Sequence, residues 1–160
     1  MRIGQGFDAH RFTEDRSLVL GGVTIPHDYG LAGHSDADVL LHAVCDALLG
    51  AAGLGDLGSH FPDTDPQHAD QDSRELVRAV GGNLRRDGWR ISNIDTTVVA
   101  QRPRLGPHVA DMAAIIASDL EVDSGRVSVK ATTSEGMGWT GRAEGIAALA
   151  VALLEEPTTP

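Results

Sequence analysis

Apolar and polar positions follow an extended pattern at the start of this chain and then change period. Residues 2–12 read as a strand. Residues 18–20 and 23–26 read as two further extended segments around the Gly21-Gly22 turn. From residue 35 the period is helical: Leu40, Ala43, Val44, Ala47 and Leu48 line one face, while His34, Asp38, His42 and Asp46, spaced by four, line another. This spacing predicts a helix that begins near Ser35 or Asp36, with Ser35 and Asp38 as a capping box, and stops at Gly53. Residues 54–66 read as a loop. A second helix is expected after Asp72, which caps it together with Glu75, and it carries Gly81-Gly82 inside. A strand over 91–101, a helix from Gly106 or Pro107 to Leu120 and a strand over 126–131 follow. The last apolar run, 146–154, fits a helix by its alanines and a buried strand by its continuity. Strands and helices mixed in this order predict an α+β fold with one sheet covered by helices. A single domain over 1–157 with a frayed tail at 158–160 is expected.

Composition narrows the function classes. Hydrophobic residues make up 41% of the 160 positions and aromatics 4%, so aliphatic side chains must fill one core. The formal charge of −10 argues against a nucleic-acid or anionic-membrane partner. An anionic small molecule stays open, because a metal and a few donors reverse the field in one pocket. No apolar run is long enough to cross a bilayer, and Met1-Arg2-Ile3-Gly4 lacks the apolar stretch of a signal peptide, so a cytoplasmic protein is expected. The single cysteine, Cys45, excludes an internal disulfide and reads as a small buried hydrophobe.

The candidate chemistry starts with Asp8, His10 and His42. Residues i and i+2 of a strand point to one face, so Asp8 and His10 can grip one ion while a helix delivers His42. Two imidazoles and a carboxylate suit zinc and leave a fourth position open. Asp38 or Asp46 is a candidate to orient the His42 ring. An isolated Asp-x-His is common in ordinary strands, and the wider constellation is what raises this one.

Those motifs are GFDAHRF at 6–12, AGHSDADVLLHA at 32–43, GDLGSHFPDTDP at 55–66, DSRELV at 72–77, VKATTSE at 129–135 and TGRAEGIA at 140–147. In this order they resemble the 2-C-methyl-D-erythritol 2,4-cyclodiphosphate synthase family, over roughly residues 2–154. The resemblance implies a ferredoxin-like α+β unit assembled as a homotrimer with active sites between subunits, and hence a strand for 144–154. It implies a lyase of the non-mevalonate isoprenoid pathway. The reaction converts 4-diphosphocytidyl-2-C-methyl-D-erythritol 2-phosphate to the 2,4-cyclodiphosphate and releases CMP.

By the same resemblance, Asp8, His10 and His42 hold Zn²⁺, with Asp8 and His10 also near the substrate. His34 and Ser35 take the attacking 2-phosphate. Thr132, Thr133 and Ser134 meet the diphosphate, and Glu135 helps hold Mg²⁺ or Mn²⁺; His34, Thr133 and Glu135 are the catalytic candidates. Lys130 could add positive charge nearby. Asp56, Leu57 and Gly58 match the ribose segment, and Phe61, Pro62, Asp63, Thr64 and Asp65 the methylerythritol loop. Ala100, Gln101, Arg102, Pro103, Arg104, Leu105 and Gly106 match the cytosine pocket, and Trp139 and Arg142 the end of the substrate contacts. An isoprenoid diphosphate in the trimer cavity is a further implied ligand, on which Trp139, in place of phenylalanine, bears. Simpler roles stand beside these: Ser35 as an N-cap, Asp56 as a turn aspartate, Thr132 and Glu135 as a capping box, Arg142 paired with Glu144 or facing the trimer axis. A zinc hydrolase and a trimeric binding module without turnover are the rival functions.

Overall fold

The computed structural model describes residues 1–33, 35–62 and 72–157. Strand β1, Arg2–Thr13, pairs antiparallel with β7, Gly145–Glu155, which pairs on its other side with β5, Arg90–Val99. β6, Val127–Thr132, runs parallel to β5, and the short β4, Gly30–Leu31, closes the opposite edge. The sheet order is β4-β1-β7-β5-β6. β2, Leu18–Leu20, and β3, Val23–Ile25, form a separate hairpin around the Gly21-Gly22 turn. The last apolar run is therefore a strand, at the centre of the sheet. Its backbone groups are bonded on both sides, and Ile146, Ala148, Ala150, Ala152 and Leu154 are buried toward the helices, which overrides the helical preference of alanine.

Helix α1, Val39–Ala52, lies against β1 and β7. It starts later than the periodicity predicts, and its cap is Asp38, not Ser35. The Asp38 carboxylate is fully buried and accepts N–H bonds from Leu40 and Leu41 of the first turn and from Gly21 and Gly22 of the β2–β3 turn. Gly53 ends the helix in the left-handed conformation, as its position predicts. Two strand glycines set the approach of α1 to the sheet. A Cβ on Gly6 would lie 1.9 Å from the Ala43 carbonyl oxygen, and one on Gly4 would lie 2.1 Å from that of Ala47. Strand and helix backbones are in direct contact there.

A short helix α2, Leu57–His60, interrupts the expected 54–66 loop. α3, Ser73–Arg86, is capped by Asp72 as predicted and contains Gly81-Gly82. α4, Val109–Leu120, follows a 3-10 turn over Gly106–His108 and carries the crossover between the parallel strands β5 and β6. The buried Asp119 of α4 accepts from Arg74 Nε and Nη2 and from Arg78 Nε, joining α4 to α3. A last short helix, α5, Gly138–Gly141, precedes β7. The core lies between this helical layer and one sheet face, with Leu40, Leu41, Leu48, Ile94, Met112 and Ile116 fully buried. Each such side chain stabilises by about 1.5–3 kcal/mol. The layering is the expected sheet covered by helices. The order of the long elements, β–α–α–β–α–β–β with one parallel pair, is not the β–α–β–β–α–β order of the ferredoxin pattern.

The other sheet face carries no helix among the described residues. Ile3 is opposite Leu153 and Phe7 opposite Leu149 across β1 and β7, with Val151 between them; Ile3 is 71% and Phe7 56% exposed. No helix of the described residues is long and apolar enough to cross a membrane.

Candidate active site

Alternation along β1 turns Asp8 and His10 toward α1, and the first turn of α1 brings His42 onto them. Asp8 Oδ2 lies 3.0 Å from His10 Nε2 and 2.9 Å from His42 Nδ1, and the two nitrogens are 3.4 Å apart. The other Asp8 oxygen, Oδ1, accepts the Ala9 N–H at 2.8 Å, which leaves Oδ2 as the single donor atom. All three side chains keep some exposure, from 14% to 26%, so the cluster opens to solvent on one side. Among the described residues it is the one group of three such side chains able to hold a metal.

The electrostatics favour a cation here. Burial works to raise the Asp8 carboxyl, but the hydrogen bonds and charges of His10 and His42 hold it well below the usual carboxylate range. Burial works to lower the His42 ring, but Asp8, bonded to it, with Asp38 and Asp36 nearby, raises it above its ordinary 6.5. The same field that holds a proton on His42 holds a metal in its place. Tetrahedral zinc with bonds of about 2.0–2.1 Å places its ligand atoms about 3.3 Å apart. The histidine pair has this spacing, and the carboxylate spacings need to open by a few tenths of an ångström.

The ring is not oriented by Asp38 or Asp46, as the helical spacing suggests. Asp38 is committed to its four N–H donors. Asp46 Oδ1 accepts the Leu57 N–H at 2.7 Å, and burial raises its carboxyl. His42 Nε2 faces the hydroxyls of Ser73 at 3.0 Å and Ser35 at 3.3 Å. Ser35, freed from capping α1, is thus inside the site, with its oxygen also accepting the Ala37 N–H. Ser73 was legible only as the first residue of a helix; its contact comes from a different element and has no local signal.

The remaining candidates form two groups. Asp56 is the exposed cap of α2: its Oδ1 accepts from Ser59 N at 2.8 Å and Ser59 Oγ at 2.6 Å, and these bonds lower its carboxyl. Leu57 and Gly58 form the first turn of α2, and the Leu57 bond to Asp46 ties that turn to α1. Phe61 packs against the core, and Pro62 is exposed. His34, Asp63, Thr64, Asp65 and the 158–160 tail lie outside the described residues.

The second group sits at the ends of β5 and β6. The Ala100 N–H donates to Thr132 O at 3.0 Å and the Gly136 N–H to Gln101 Oε1 at 3.3 Å, so the 100–106 and 132–135 segments lie side by side. Ala100 and Leu105 are buried; Arg102, Arg104 and Gly106 are exposed, and the Arg102–Pro103 bond is cis. No helix starts at Thr132, so the capping-box alternative fails. Thr133 Oγ1 instead donates to Glu135 Oε1 and accepts the Glu135 N–H, both at 3.2 Å, in an exposed turn with Glu135 at φ +53°. Thr132 Oγ1 donates to Thr133 O, and Ser134 Oγ to Met137 O. Lys130 pairs with Asp95 across the strands. Arg142 Nε pairs with Glu144 Oε1 at 2.6 Å, beside the exposed Trp139.

β7 and β5 separate β1 from β6 in the sheet. Three strand spacings place β1 and β6, whose end at Thr132 leads into the Thr133–Glu135 turn, about 14 Å apart. Within one chain the two groups sit on strands that do not neighbour each other.

Comparison with known proteins gives a consistent picture. A family model described as the YgbB family matches residues 1–155. The chain is 61% identical over 156 residues to the 2-C-methyl-D-erythritol 2,4-cyclodiphosphate synthase of Syntrophomonas wolfei, covering 98% of this chain and 99% of that one. Among solved structures it resembles the bifunctional IspDF from Campylobacter jejuni, with a TM-score of 0.93 and 45% identity over 97% of this chain and 42% of that longer one. It also resembles IspF of Plasmodium falciparum in a CDP complex, with a TM-score of 0.85 and 32% identity over 98% of this chain and 97% of that one.

Proposed function

The chain belongs to the YgbB family, whose relative above is a 2-C-methyl-D-erythritol 2,4-cyclodiphosphate synthase, and we propose that it performs this synthesis by intramolecular phosphoryl transfer. It forms the cyclic diphosphate of the non-mevalonate isoprenoid pathway from 4-diphosphocytidyl-2-C-methyl-D-erythritol 2-phosphate. The 2-phosphate oxygen attacks the β-phosphorus, the bond to the α-phosphate breaks, and CMP leaves, which makes the enzyme a phosphorus–oxygen lyase. No protein nucleophile is needed. The protein's task is to fold an anionic chain into a ring, and orientation of this kind is worth about 7–11 kcal/mol in favourable cases.

The observation that carries the reading is the Asp8–His10–His42 triangle with one open side. Zinc, held there by Asp8 Oδ2, His10 Nε2 and His42 Nδ1, would supply a Lewis acid for the β-phosphate. Ser35, beside His42, and His34 would receive the 2-phosphate. Thr132 and Thr133 present exposed hydroxyls for the diphosphate, with Ser134 beside them. Glu135, which belongs to no three-residue metal cluster among the described residues, would hold Mg²⁺ or Mn²⁺ jointly with the substrate phosphates. Asp56, with Leu57 and Gly58, offers a carboxylate to the ribose diol, and Phe61, Pro62, Asp63, Thr64 and Asp65 would be the methylerythritol segment. Residues 100–106 read cytosine mainly through backbone groups, with Trp139 and Arg142 at the end of the substrate.

Two features support a homotrimer with sites between subunits. The metal strand β1 and the strand β6 that leads into the Thr133–Glu135 turn are separated by two strands of the sheet, which leaves room for a neighbour's second group to complete the first. The uncovered apolar face of Ile3, Phe7, Leu149, Val151 and Leu153 supplies a surface for that packing. The cavity this face would enclose suits an isoprenoid diphosphate. The setting is cytoplasmic. The test is phosphorus NMR of the cytidine-linked substrate with protein, Zn²⁺ and Mg²⁺. CMP and cyclic diphosphate in equal amounts are expected; CMP with an open-chain product would make the protein a hydrolase, and binding without turnover a binding module. Light scattering should give a trimer, and a monomer would overturn the shared site.

A further inference from the structure

Behind His42 lies a second polar chain. Its Nε2 is 3.0 Å from Ser73 Oγ; Ser73 is fully buried at the start of α3, and its hydroxyl donates to Asp36 Oδ1. The other Asp36 oxygen accepts the Ser73 N–H at 3.2 Å. The direction of this chain is forced. A carboxylate only accepts, so the Ser73 hydroxyl proton goes to Asp36 and its oxygen is left to accept. The ring nitrogen facing it must then carry a hydrogen. With hydrogen on Nε2, the neutral ring turns its lone pair out at Nδ1, the atom facing Asp8 Oδ2 and His10 Nε2.

We propose that Asp36 and Ser73 are positioning residues that lock His42 in the tautomer and orientation that bind metal through Nδ1. This rests on the reading of Asp8, His10 and His42 as a metal centre. Partners of this kind fix ring orientation and raise ligand basicity, and their loss weakens metal affinity about 10–100-fold. Asp36 also accepts the Asp38 N–H at 3.3 Å, so the carboxylate that directs the ring is itself held by the turn leading into α1. Ser35, 3.3 Å from the same nitrogen, is the competing acceptor.

The test is competition for Zn²⁺ between a colorimetric chelator and the metal-stripped protein, as wild type, Ser73→Ala, Asp36→Asn, the double variant of these two, and Ser35→Ala as the control for the competing acceptor. Asp36→Asn keeps the side-chain shape, so it stays informative if Ser73→Ala fails to fold. An amide at 36 can donate to Ser73 Oγ, which frees the hydroxyl proton to turn toward His42 and favours the wrong tautomer. Each single variant should lose about 10–100-fold in affinity, and the double variant no more than either, because the two act as one chain. In the zinc-loaded protein the His42 Nε2–H proton resonance should move upfield in Ser73→Ala, a change that a merely structural role would not produce. Wild-type affinity in both single variants, additive losses, or a loss confined to Ser35→Ala would overturn the proposal. Failure of the wild type itself to bind Zn²⁺ would overturn the metal centre along with it.

Discussion

Replacing Gly6 with alanine tests whether direct contact between strand and helix backbones builds the metal centre. The new Cβ would sit 1.9 Å from the Ala43 carbonyl oxygen and 2.8 Å from the Ala47 nitrogen. Both neighbours are helix backbone, so no side chain can rotate away. Restoring an ordinary 3.4 Å contact requires α1 to retreat by roughly 1.5 Å. Gly6 is two residues from Asp8, and Ala43 follows His42, so the retreat draws His42 off Asp8 and His10. Metal sites tolerate about 0.2 Å in ligand distance, several times less than this shift. The packing strain should cost about 1–3 kcal/mol. For a chain of this size that is a fall in Tm of roughly 2–12 °C. Affinity for Zn²⁺ should fall at least about tenfold. Thermal unfolding of metal-free protein and zinc competition on the same samples measure both. A Gly6→Ala protein that melts within about 1 °C of wild type and binds zinc equally well would refute the reasoning.

Three other perturbations have defined outcomes. Because Asp8 holds the His42 ring above 6.5, metal must displace a proton, so zinc affinity should fall about tenfold per pH unit below the raised His42 pKa, with proton release visible in calorimetry across buffers. The sign for stability is opposite in the metal-free protein: the contribution of His42 is fully present below 6.5 and lost as pH rises through its raised value, while that of Asp8 is present above 3.8 and lost as pH falls; chemical denaturation against pH with chelator checks both slopes. Between α3 and α4, Arg74→Ala with Arg78→Ala should destabilise by about 3–5 kcal/mol in urea, more than Asp119→Ala, because the double variant strands a buried carboxylate whereas the freed arginines reach water. Cys45 is fully buried, and burial pushes its thiol well above the usual range, so a thiol reagent should label it only on unfolding; fast labelling of native protein would contradict the packing of α1.

Much of this molecule was legible in its sequence. Asp8 and His10 share a face because a strand repeats every two residues, Asp72 caps α3, Gly53 ends α1, and the motifs carry the family. These are local effects, acting between residues a few positions apart. Where the reading missed, a distant group decided. The start of α1 moved to Asp38 because the N–H groups of Gly21 and Gly22 arrive there from another element and bury its carboxylate. The local pattern leaves 146–154 open between helix and strand and the family resemblance favours the strand; β1 and β5 make it one by bonding it on both sides. The ring of His42 found Ser73, 31 residues away, instead of its helical neighbours Asp38 and Asp46. The sheet order likewise parts the metal ligands from Thr132, Thr133 and Glu135. The sequence determined which chemical groups this protein owns and which way each local segment bends. Only the tertiary structure decided which of them meet, because buried polar groups take their partners from whatever element packs against them, and period and propensity do not encode that choice.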